Sequence, residues 1–151
     1  MPSIREQILQ KVASQLETIS GVGTVERSKI TPITVGIAYP AVFIFEESEG
    51  ISIESPTDMG NVTKTLNITL QCWQLDDGSG NSAQLNTLLS SVETSIMGNV
   101  QWDALANRTV PIESRNFYVD YNNTKGFGYI GFELDVFIEY RHTFYDPDTS
   151  A

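Results

Sequence analysis

Apolar and polar positions alternate most clearly over Tyr129–Tyr140. Ile130, Phe132, Leu134, Val136, Ile138 and Tyr140 fall on one side. Gly131, Glu133, Asp135 and Glu139 fall on the other, with Phe137 the one apolar intruder. Successive side chains of a strand point to opposite faces, so this pattern predicts a long strand with one buried and one wet side. Thr65–Trp73 repeats it, with Leu66, Ile68, Leu70 and Cys72 inward and Asn67, Thr69 and Gln71 outward. Ala41–Phe45 is a continuous apolar run, short enough for a strand covered on both faces.

Two segments carry helical spacing instead. Ile4, Ile8, Val12, Leu16 and Ile19 recur mostly at i, i+4, with Leu9 alongside. Ser3 and Glu6 make a capping-box pattern at its start, and Gly21 and Gly23 stop it. Leu85, Leu88, Leu89, Val92 and Ile96 form the second stripe, and Gly98 stands where a positive φ is often required. Between these lie a weak strand candidate at Thr24–Ile30 and an irregular stretch from Pro32 to Pro40. Glu46–Gly50 reads as an acidic turn leading through Ile53 and Asp58 to Val62, and Asp76–Ser82 as a loop. Asn99–Ser114 reads as a connector, Arg115–Tyr121 as a strand, and Asn122–Gly126 as the turn of a closing hairpin.

Two amphipathic helices need an apolar surface to cover, and the sheet offers one. The expected fold is α+β: a two-layer sandwich, mostly antiparallel, with both helices on one face. Residues 1–145 are expected to form a single domain and 146–151 a flexible polar tail. At 151 residues the chain is long enough for one real core.

Net charge is −10 and pI near 4.3, which argues against a surface built to grip phosphate. The nine basic residues are dispersed and form no stripe. The start of the chain has no apolar signal region and no run approaches the roughly 20 residues of a membrane span, so a cytoplasmic origin and no membrane are expected. On that footing four Asn-x-Thr matches, beginning at Asn61, Asn67, Asn107 and Asn122, read as chance.

Catalytic constellations are thin. Cys72 and His142 are the only thiol and imidazole, and nothing supplies an orienting third group. Gly21-Val-Gly23 lacks the third glycine of a dinucleotide loop. Asp76–Asn81 lacks the alternating ligands and terminal glutamate of a calcium loop. No enzyme activity, cofactor or metal is expected. Glu46, Glu47, Glu49, Glu54 and Asp58 form an acidic stretch that is most economically a solvated face, then a partner-docking loop, with metal binding a distant third.

Several stretches, taken with the order of elements over residues 3–145, resemble the tail-terminator (tail-completion) proteins of long-tailed bacteriophages. They are Ser3–Ile8, Ile19–Arg27, Tyr39–Ile44, Leu66–Leu70, the Leu-rich second helix and the closing strand ending Glu139-Tyr140-Arg141. The resemblance implies a structural virion protein. Such proteins form a ring, typically a hexamer, on the end of the tail tube. The ring stops polymerisation and joins the tail to head-completion or neck proteins, in some tails with a sheath alongside. Assembly takes place in the host cytoplasm, and DNA passes through the lumen without specific binding. Six copies would carry roughly −60 (six times −10), a field that repels phosphate. The wet-face trio Glu133, Asp135 and Glu139 is the expected lumen lining, and the stretch Glu46–Asp58 the expected docking loop. Alternatives are another virion connector (head-completion or tube component) and, further off, a small enzyme or ligand-binding domain.

Overall fold

The computed structural model describes residues 2–27, 38–53, 61–76, 82–99, 101–122, 127–143 and 146–150. The order is α1 (Ile4–Glu17), β1 (Thr24–Arg27), β2 (Ala41–Ser52), β3 (Asn61–Asp76), α2 (Ser82–Met97), β4 (Arg108–Asn122), β5 (Phe127–Thr143) and β6 (Asp146–Ser150). The strands form one sheet in the order β1-β2-β3-β5-β4, with β6 paired to the end of β5. Among the described strands only the β1–β2 pair is parallel.

Both helices lie on the same face of this sheet. Ile4, Ile8, Leu9, Val12 and Leu16 of α1 and Leu85, Leu88, Val92 and Ile96 of α2 share one core with the inward residues of β2, β3 and β5. That core contains every inward position expected on β5, from Ile130 to Tyr140, and Leu66, Ile68, Leu70 and Cys72 of β3. The α+β, two-layer, mostly antiparallel expectation is met. The Ser3 hydroxyl accepts from the Glu6 backbone N–H at 3.2 Å, so half of the capping box forms. The Glu6 side chain turns to Arg27 of β1.

Four local expectations change. Glu46–Gly50 is not a turn. It continues β2, with a bulge between Glu46 and Ser48 that leaves Glu47 without a cross-strand partner. The connector after α2 is shorter than expected, because β4 begins at Arg108 rather than Arg115. Gly98 lacks a positive φ. Among the described glycines that conformation belongs to Gly21, at φ 93°, where the chain leaves α1. Residues 146–150, whose composition suggests a loose tail, pair with His142 and Thr143 as β6.

The sharpest backbone strain lies before β4. Trp102, Asp103 and Ala104 have φ of 46°, 58° and 66°, a run of left-handed residues without glycine. Burial holds it. Trp102 is sunk into the core and its indole N–H donates to the Thr109 hydroxyl at 2.8 Å. Asp103 pairs with Lys11 of α1 at 2.7 Å.

Candidate functional site

The sheet face away from the helices divides into three zones. At one end Ala41, Phe43 and Trp73 are buried beneath Tyr39, Phe45, Phe117 and Tyr129. Trp73, Gly131 and Phe117 are successive register partners across β3, β5 and β4. A side chain at Gly131 would collide with the Phe117 ring and the Cys72 carbonyl. The missing Cβ therefore lets the Trp73 and Phe117 rings meet over the middle strand, with centroids 4.7 Å apart. This cap explains why the run from Ala41 to Ile44 is buried on both sides of β2.

The middle zone is polar and closely tied. The Trp73 indole N–H donates to Gln71 at 2.8 Å, and the Gln71 amide donates to Glu133 at 2.9 Å. Arg115 of β4 donates to Glu133 at 3.0 Å and to Asp135 at 2.7 and 3.2 Å. The Thr69 hydroxyl donates to Asp135 at 2.9 Å. Glu113 stands 3.4 Å from Arg115. The Arg115 guanidinium, against burial that works the other way, holds the Asp135 carboxyl below the usual carboxylate range, with Thr69 assisting. An open trough of about 620 Å³ lies over this floor, with Phe45, Glu47 and Ile112 among its walls.

In the third zone Glu139 faces Arg108 at 3.4 Å, and Arg108 sits over the Phe137 ring at 5.3 Å from its centroid. The trio Glu133, Asp135 and Glu139 thus lies on the outer face as expected, but each carboxylate has an arginine beside it.

The acidic stretch is split by the bulge at Glu47. Glu46 and Glu49 point to the helix side. Arg5 donates to Glu46 at 2.7 and 3.0 Å and lies 3.6 Å from Glu49. Tyr140 donates to Glu49 at 2.6 Å, with Lys64 at 3.7 Å. Burial and the adjacent Glu49 push the Tyr140 phenol well above its ordinary range. These two glutamates brace α1 against the sheet. Glu47, the bulged residue, faces the outer trough. Glu54 and Asp58 lie outside the described residues.

The two candidate reactive groups do not meet. Cys72 pairs with Phe132 and His142 with Val62, ten residues further along β3. At about 3.3 Å per residue they stand roughly 33 Å apart. Burial also pushes the Cys72 thiol far up, away from the thiolate a nucleophile needs. Among the described residues no group of three or more His, Cys, Asp or Glu could hold a metal ion. No helix among the described residues is long and apolar enough to cross a membrane.

Pattern reading places Thr69 and Gln71 on the outer face but gives them no role, and it does not single out Arg115 or Ile112. Hairpin counting comes close to finding Arg115. From the Asn122–Phe127 pair it would place Arg115 opposite Leu134, and a register shift between Asp120 and Asn122 moves it to Glu133.

No family model matches the chain, and no curated protein does. Among solved structures it is similar to a chain of the "Virion of native gene transfer agent (GTA) particle". The match covers 91% of this chain and 92% of that one, at 10% identity and a TM-score of 0.38. A likeness that slight does not bear on this chain's role.

Proposed function

We propose that this chain is a structural assembly protein of a phage-type tail, a tail terminator that forms a ring on the end of the tail tube. The observation that carries this reading is the one-sided sheet. The helices seal one face of the sheet, while the other bears a preformed, open surface and ends in the long strand β4. On the described part of β4, Val110, Ile112 and Tyr118 are exposed, the last at 71%. Val110 and Ile112 stand on the outer face, and Tyr118, opposite Ile130, on the helix-side face. Exposed apolar side chains along an edge strand are a usual mark of a protein-contact surface. The resemblance in element order and in the stretches from Ser3 to Arg141 supplies the specific role.

On this reading the ring, taken as a hexamer, stops tube polymerisation, meets head-completion or neck proteins, and lets DNA through its lumen. It works in the virion, at the neck-proximal end of the tail, without catalysis or cofactor. Edge contacts around a ring suit β4. Pro111 and the bulge at Ile112 break its ladder with β5 there, which blunts open-ended strand pairing and favours side-chain contacts of fixed geometry. Of the expected docking loop, Glu47 alone among Glu46, Glu47 and Glu49 faces outward.

Electron microscopy of purified protein tests this directly, with discrete rings around a central hole as the expected result. Mixing with polymerising tube subunits separates the alternatives. A terminator caps tubes at one end, a tube component lengthens them, and a head-completion protein leaves their length unchanged. A chain that stays monomeric alone and with tube protein would sink the proposal.

A further inference from the structure

We infer that the outer trough docks an extended segment of a different protein, one that places a Lys or Arg between two apolar side chains. The inference goes beyond the ring role and gives this face to protein rather than to DNA.

One rung of the sheet sets the spacing of the trough. Phe45, Thr69, Asp135 and Glu113 are successive register partners on β2, β3, β5 and β4, with Ile112 bulged beside Glu113. Phe45 and Ile112 therefore stand three strand spacings apart, about 14 Å. Both line the trough, and Ile112 is 60% exposed. The floor between them is acidic. Glu133 and Asp135 on the floor and Glu47 on the wall, with Glu113 3.4 Å from Arg115 at the rim, are set against Arg115, the one cation among the described lining residues. Its carboxylates are not saturated. Each oxygen accepts about two donors. Both Glu133 oxygens and Asp135 Oδ2 take one apiece from Gln71 and Arg115. Those same bonds fix the floor in place, so a ligand meets a preorganised surface.

An extended segment matches this layout. Residues i, i+2 and i+4 of a strand share one side, and i to i+4 spans about 13 Å. Apolar side chains at i and i+4 reach Phe45 and Ile112, and a cation at i+2 lies over Asp135 and Glu133.

Charge selects the occupant. A second copy brings another −10. Among the described cations, Arg5, Lys11, Arg27, Lys64, Arg108 and Arg115 already pair with carboxylates. Nucleic acid is repelled by the same surplus. A basic, apolar-flanked segment of another chain fits both the sign and the spacing.

The test uses the full chain and two labelled peptides with a leucine–serine–arginine–serine–leucine core, one with glutamate replacing arginine. Saturable binding of the arginine peptide alone is expected, with NMR shifts at Phe45, Ile112, Glu133 and Asp135. Glu47→Lys together with Glu113→Lys should weaken it about tenfold, and Ile112→Ser roughly threefold. All three positions are solvent-facing, and the NMR spectra report whether the fold is kept. Absence of saturable binding, equal binding of both peptides, or unchanged affinity in the double variant overturns the inference. Ring formation and tube capping are read independently, so either proposal can fail alone.

Discussion

The two faces of β5 differ in how they resist change. Toward the helices, Ile130 to Tyr140 are buried among apolar neighbours, and their stabilisation comes from area removed from water. Away from the helices, Glu133, Asp135 and Glu139 remain partly exposed and are held by directional bonds to residues of β3 and β4. The first face tolerates almost no polarity. The second tolerates many side chains in energy but few in arrangement. One strand thus carries stability and surface chemistry on alternate residues, and the two can be perturbed separately.

The largest expected effect is at the sealed face. Leu134→Asp puts a charge where only 1% of the residue is exposed, and should cost roughly 4 kcal/mol or more, leaving no cooperative transition in thermal denaturation followed by circular dichroism. A native-like melt would mean the faces are misassigned. Next comes Gly131→Ala, the point where the outer face is as tightly packed as the inner. Its new methyl meets a backbone carbonyl and the Phe117 ring, and a loss of about 3 kcal/mol is expected in urea unfolding. A smaller loss, about 1–3 kcal/mol, is expected for Thr109→Val, which strips the buried Trp102 N–H of its acceptor and destabilises the left-handed run. Glu133→Lys should keep the fold, shifting the midpoint by under about 1 kcal/mol, because exposed ion pairs contribute little. If it unfolds the chain as Leu134→Asp does, the contrast between the faces collapses.

The smallest effect concerns pH. Asp135 has a depressed folded-state pKa, held down chiefly by Arg115. Its contribution is present above the ordinary carboxylate range and is lost as pH falls through the lowered value. Glu6, held down by Arg27, behaves the same way on the helix side. Arg115→Met should lower neutral stability slightly and leave strongly acidic stability unchanged, so that the acid limb of a stability–pH curve flattens by the same small amount. An unaltered acid limb would show that the pair is not formed in solution.

Periodicity made the sealed face readable, because burial of apolar residues leaves a record every second or fourth position. The α1 stripe from Ile4 to Leu16, the α2 stripe and the inward sets on β3 and β5 all follow from it. What it missed depends on register. Glu46 and Glu49 sit in a run that composition reads as a turn, yet β2 continues through them because both find Arg5 across the helix–sheet boundary and Glu49 also accepts from the Tyr140 phenol of β5. The start of β4 is hidden by Pro111 and by alternating charges, which are ordinary on an edge strand and rare in a central one. Arg115 is hidden by a single-residue register shift.

The row of Trp73, Gly131 and Phe117 gives the molecule a built-in optical label. The chain has two tryptophans, one on each side of the sheet. Replacing Trp102 by Phe would leave an indole whose emission depends on how firmly its neighbour on β4 leans over the glycine. Fluorescence would then register whatever settles on the open side of this protein without any dye being attached.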